Sequence, residues 1–106
     1  MTMVNRLRGE VGAELDGRRF TLCLTLGALA ELEAALGAGD LMGLARRFEA
    51  GQLSARDAIL VIGAGLRGGG NDIGDDAVAR MRAPGGAAGF VGVVADLLGA
   101  TFGGEG

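Results

Sequence analysis

The sequence predicts an α+β domain in which an N-terminal β-hairpin packs on a bundle of about five short helices. Two patterns carry that expectation. Apolar and polar residues alternate from Glu10 to Leu24 around an Asp-Gly pair, whereas after Thr25 the apolar residues recur at helical spacing. Size supplies a third constraint, because 106 residues can build one core and not two independent ones. Gly accounts for 22 residues, yet 49% hydrophobic against 22% charged content favours a packed domain over disorder.

The hairpin is expected over residues 9–24. Val11, Ala13 and Leu15 alternate in one run and Phe20, Leu22 and Leu24 in the other, leaving Glu10, Glu14, Arg19 and Thr21 on the opposite face. Asp16-Gly17 suits the tight turn between them because both residues tolerate positive φ. A lone hairpin is marginal in water, so its apolar face must be covered by the helices downstream in the chain.

The first helix is expected over 26–36, with Thr25 as N-cap, Leu26, Leu29, Leu32 and Leu36 as its apolar stripe, and Gly37 as a left-handed stop. The second spans 41–50 behind an Asp40 cap, with Leu41, Leu44, Ala45 and Phe48 on one side and Arg46, Arg47 and Glu49 facing out. Ser54-Ala55-Arg56-Asp57 has the form of a capping box and opens a buried helix over 55–67, which Gly68-Gly69-Gly70 ends. A short helix over 75–82, started by Asp75 or Asp72, and a final one over 87–102 lie on either side of the Ala83-Pro84-Gly85-Gly86 break. The last segment is shorter than the ~20 apolar residues of a membrane span and carries Asp96, so no membrane association is expected.

The residue inventory excludes most chemistry. The chain has no His, Lys, Tyr or Trp, and hence no imidazole base, Schiff-base amine, phenol donor or histidine metal ligand. The expectation is a non-enzyme with no catalytic residue, cofactor or metal. A net charge of −3 lacks the positive field that draws proteins onto phosphate backbones, so nucleic acid is not an expected partner. A single cysteine, Cys23, and no secretory pattern at the start make the cytoplasm the expected compartment.

Four features have to be weighed as sites. Gly63-Ala64-Gly65-Leu66-Arg67-Gly68 is a literal G-x-G-x-x-G after Ile59-Leu60-Val61-Ile62, the order found in dinucleotide-binding folds. Its context disagrees: Gly69-Gly70 cuts the following helix short, no acid lies between Asp76 and Asp96, and the Ser54 capping box starts a helix where a strand is needed. Asn71-Asp72-Ile73-Gly74-Asp75-Asp76 lacks the alternating oxygen ligands and closing Glu of a calcium loop, and acids at a helix start are explained by its dipole. Cys23 and Ser54 have no base to activate them. Arg6, Arg8, Arg18 and Arg19 cluster near the hairpin with no aromatic residue interleaved to stack bases, which reads as a solvated face.

Taken together, Gly9-Glu10, Leu15-Asp16-Gly17, the run Leu24-Thr25-Leu26-Gly27-Ala28-Leu29-Ala30-Glu31-Leu32-Glu33, Leu53 to Asp57 and Gly63 to Gly70 resemble the gene transfer agent family of phage-derived proteins. That group is classed with phage tail assembly chaperones and is sometimes labelled as tail tube proteins. The resemblance implies a small, non-enzymatic protein of a phage-like tail in an alphaproteobacterium. It would cover apolar segments of tail proteins, such as the tape measure protein, until tail tube subunits polymerise, and homo-oligomerisation is compatible with it. Accessible apolar side chains would do this work, and the candidates are Leu41, Leu44, Phe48, Phe90, Val94, Leu97, Leu98 and Phe102, each of which could instead belong to the core. Two alternatives stand beside it: a minor structural or tail tube component that pairs hairpin edges between neighbours, and a nucleotide-binding protein using residues 63–70.

Overall fold

The computed structural model describes residues 9–37 and 40–103. Strands β1 (Glu10–Leu15) and β2 (Arg18–Cys23) form the expected antiparallel hairpin, with Val11 opposite Leu22 and Leu15 opposite Arg18. Asp16 (φ 54°) and Gly17 (φ 73°) are both left-handed, the turn whose twist matches that of the flanking strands. All six inward residues, Val11, Ala13, Leu15, Phe20, Leu22 and Leu24, are buried. The turn is pinned from outside: the Asp16 N–H donates to the Arg82 carbonyl and the Arg82 N–H to Asp16 Oδ1, each at 2.8 Å.

Helix α1 (Leu26–Leu36) starts where Thr25 Oγ1 accepts the Ala28 N–H at 3.1 Å. Its buried face differs from the expected stripe. Ala28 and Leu32 point into the core with Leu29 and Leu36 beside them, while Leu26 is 84% exposed. Leu26 lies about 200° around the helix from Ala28, so one face cannot bury both. Gly37 takes positive φ (106°) but an extended ψ (155°), so it ends α1 without the left-handed turn expected of it. In the expected Gly37-Ala38-Gly39 connection, residues 38 and 39 lie outside the described residues.

Helix α2 (Leu41–Glu49) follows Asp40, whose side chain makes no capping bond and instead accepts from Arg47 Nη1 at 3.4 Å. Arg47, expected to face outward, is turned in by that contact and by Asp57. Helix α3 (Ala55–Gly68) begins with both bonds of the capping box: Ser54 Oγ accepts the Asp57 N–H at 3.0 Å, and Asp57 Oδ2 accepts the Ser54 N–H at 3.1 Å. It is the central element, buried without interruption from Leu60 to Leu66 and packed on β2, α1, α4 and α5.

Helix α4 (Asp75–Val78) is one turn long, shorter than expected, and its N-cap is Gly74 rather than an acid. Helix α5 (Ala87–Leu98) stops before residue 102 and widens into a π-helical turn over Gly99–Gly103. The core gathers the inner hairpin face, Ala28, Leu32, Leu44, the middle of α3, Val78, and Val94, Leu97 and Leu98 of α5. Among the described residues, no helix is long and apolar enough to cross a membrane.

Candidate protein-docking site

Helix α3 presents two sides that differ in what their side chains leave open. Toward the hairpin and α5 it is stripped to glycine. A methyl group at Gly68 would strike the Cys23 carbonyl oxygen and one at Gly69 the Thr21 carbonyl oxygen, both main-chain atoms, while at Gly65 it would come within 2.9 Å of Leu97 Cδ1. Asn71 completes the seal, its Nδ2 donating to the carbonyls of Thr21 at 2.9 Å and Leu66 at 3.1 Å. The Thr21 carbonyl is therefore already bonded, and the C-terminal end of α3 covers the Thr21–Cys23 part of β2.

This geometry assigns the G-x-G-x-x-G segment. Residues 63–68 lie inside α3, and their N–H groups belong to its hydrogen-bond ladder rather than to a loop facing a phosphate. Their glycines allow backbone to approach backbone. Gly69 caps the helix and Gly70 (φ 95°) turns the chain away, the Gly-rich end that the sequence suggested.

Two arginines tie the elements around α3. The Arg47 guanidinium grips Asp57 with two bonds, Nε to Oδ2 at 3.0 Å and Nη2 to Oδ1 at 2.9 Å, and thereby locks α2 onto the capping box. Asp57 is 6% exposed, and the hydrogen bond from Arg47 holds its carboxyl below the ordinary 3.8 against the opposing effect of burial. Arg67 binds Glu31 of α1 through Nε at 2.8 Å and through Nη2, donates from Nη1 to the Ile73 carbonyl at 2.8 Å, and pairs with Asp75 of α4 at 3.1 Å. Asp75 thus serves as a brace. Among the described residues, no group of three or more His, Cys, Asp or Glu is arranged to hold a metal ion. Cys23 is half-buried, and its carbonyl faces Gly68. Arg18 lies over the Phe20 ring at 4.9 Å and Arg19 is exposed, whereas Arg6 and Arg8 lie outside the described residues.

The other side of α3 keeps its side chains; Ala58 and Ile59 are half-buried there, while Ile62 and the facing Val78 belong to the core and form the floor. A groove of about 340 Å³ runs between the first half of α3, the segment from Val78 to Met81, and the start of α5. Leu53, Ile59, Ile62, Val78, Met81 and Phe90 supply its apolar walls, and the small residues Ala55, Ala58 and Ala87 leave the space open. Val91, 47% exposed, stands on its rim.

The eight candidate partner-binding residues separate accordingly. Leu44, Val94, Leu97 and Leu98 are between 0% and 7% exposed and belong to the core, so they are not available to a partner while the domain is folded. Leu41 and Phe48 are half-buried against that core. Phe90 alone lines the groove. Phe102 lies in the π-helical turn beyond the end of α5 and is 49% exposed. The sequence places Ile59 and Ile62 in a buried helix and does not single out Met81 or Val78. The usable signal is that small Ala55 and Ala58 precede large Ile59 and Ile62 on one face of the helix, which leaves that face uneven at its start.

No curated protein and no solved structure matches the chain. The model of the family described as phage tail tube protein, GTA-gp10, matches residues 8–104. With the match covering the hairpin, all five helices and the π-helical turn, the chain belongs to that phage tail family.

Proposed function

We propose that this protein acts without catalysis during assembly of a phage-like tail, as a chaperone whose α3–α5 groove holds apolar segments of tail proteins such as the tape measure protein. The observation that carries this reading is the groove itself, in which Leu53, Ile59, Met81 and Phe90 are only half-buried and Val91 is exposed on the rim. Membership of a tail family supplies the setting, and an inventory without His, Lys, Tyr or Trp supports binding rather than turnover. Soft, irregular apolar walls suit a surface that accommodates several related segments.

A structural role in the tail is the second reading, favoured by the description of the family as a tail tube protein. A tube built by hairpin pairing needs head-to-tail contacts that use both edges of each sheet. In this chain Asn71 and the Gly68-Gly69 backbone lie against the Thr21 and Cys23 carbonyls of β2, so pairing along that stretch would have to displace the end of α3. Mass spectrometry of purified particles separates the two roles. The chaperone is expected to be absent or far below the stoichiometry of tube subunits, and stoichiometric recovery would overturn the proposal. Co-expression with the tape measure protein and pull-down is expected to recover a complex.

A further inference from the structure

We infer that the segment from Ile73 to Arg82 is a strap, latched at both ends by polar contacts, whose release widens the α3–α5 groove. What enters the groove rests on the chaperone reading; the strap itself does not. The segment supplies Val78, Ala79 and Met81 to the groove wall, so its position sets how far the groove is open. Gly70 (φ 95°) precedes it, and Gly85 (φ 84°) and Gly86 (φ 63°) follow it, so the chain changes direction through glycine on either side.

Little apolar contact holds the strap down. Between Ile73 and Arg82 only Val78 is buried, with Ile73 and Met81 half-buried against the core. The main-chain bonds donated by Ala77 to Met81 stay inside the segment, so among the described residues its main chain is tied to the rest of the domain only at its ends. At the first end Arg67 of α3 donates to the Ile73 carbonyl at 2.8 Å and pairs with Asp75 at 3.1 Å. At the second, Arg82 and Asp16 of the hairpin turn exchange two bonds of 2.8 Å, and both residues are exposed. Few buried side chains and ties at the ends are what let a segment open while the core stays folded.

The first glycine of G-x-G-x-x-G belongs to this device. A methyl group at Gly63 would overlap Asp75 Oδ1, a buried oxygen, and come within 3.2 Å of Arg67 Nη1. The bare surface of α3 at Gly63 is therefore the seat of the Asp75 carboxylate. Because the overlap is with the tip of a side chain and not with main chain, filling the seat displaces the latch and leaves the helix in place. Lifting the strap takes Val78 off the groove floor and uncovers Ile62, which is 1% exposed with the strap down.

Amide hydrogen exchange on the full chain, read residue by residue by NMR, tests this. The amides of Ala77 to Arg82 are expected to exchange as one group and faster than those of Leu32 and Leu97, which report the whole domain. Gly63→Ala should speed that group about tenfold beyond any change at Leu32 and Leu97. The Asp16 amide, which donates to the Arg82 carbonyl at the far latch, should accelerate with it. Asp75→Asn, which removes the charge and adds no bulk, is expected to give the same pattern and serves if Gly63→Ala does not fold. Strap amides that exchange in step with Leu32 and Leu97, or an acceleration that stops short of Arg82 and Asp16, would overturn the inference. In a pull-down, the Gly63→Ala chain should retain more tape measure protein than the unaltered one, because the cost of opening has been removed. Equal or smaller capture would also overturn it, since the strap would then not govern the groove. If the exchange pattern holds and neither chain captures a tail protein, the strap stands and the chaperone reading fails.

Discussion

The two sides of α3 solve opposite problems with the same kind of residue. On the hairpin side, Gly65, Gly68 and the adjoining Gly69 remove side chains so that the helix backbone can lie on the carbonyls of Thr21 and Cys23 and on Leu97. Near its start, Ala55 and Ala58 remove bulk ahead of Ile59 and Ile62, but no neighbour fills the space, and a groove remains. Small residues therefore mean closure in one place and vacancy in the other. What distinguishes the two is whether a second element supplies a matching surface within reach.

Substitutions at graded positions put that contrast to the test. The largest effect is expected from Leu97→Asp, which would bury a charge with no partner beside Gly65; loss of the folded state, at least about 4 kcal/mol, should be visible in a thermal melt. Retention of a native melt would show that α5 does not seal this side. Gly68→Ala comes next, at about 3 kcal/mol, because the new methyl meets backbone rather than a movable side chain; chemical denaturation would measure it.

Asp57→Asn should cost about 2 kcal/mol near neutral pH by loosening Arg47 and half of the capping box. The pH dependence has a definite sign. Because the folded-state pKa of Asp57 lies below its ordinary 3.8, its contribution is complete above that value and is lost as the pH falls through the lowered one. Acid titration of stability should therefore be shallower in the Asn variant. On the open side, Val91→Glu should change stability by no more than about 0.5 kcal/mol while weakening capture of the tape measure protein in a pull-down, a separation of stability from binding that no core position would give. A gain rather than a loss is expected at Gly92, where an added methyl meets nothing within 4 Å: Gly92→Ala should raise stability by up to about 1 kcal/mol in a thermal melt.

Much of the fold is legible in the sequence because the decisive contacts are local. Alternation about Asp16-Gly17 specifies the hairpin and its inner face, and Thr25 and the Ser54–Asp57 box mark two helix starts that the side chains do cap. Legibility fails where distant residues compete for the same group. Asp40 stands at a cap position, but its carboxylate faces Arg47; Leu26 fits the apolar stripe by spacing, but Ala28 and Leu32 set the rotation of α1. The candidate site is legible only through Phe90. Leu44, Val94, Leu97 and Leu98 have the same apolar character as a docking surface, and periodicity does not tell a covered stripe from an uncovered one.

Residue order alone carries the hairpin, the succession of the helices, the absence of His, Lys, Tyr and Trp, and a resemblance that the family match supports at the level of phage tail proteins. Packing decides which apolar residues are spent in the core, that the glycines at 65, 68 and 69 allow close approach of the hairpin and α5, and that Ile59, Ile62, Met81 and Phe90 share one groove. The physical reason is that burial belongs to pairs of surfaces. A sequence states what each surface is made of, and only the packed chain fixes which surfaces meet.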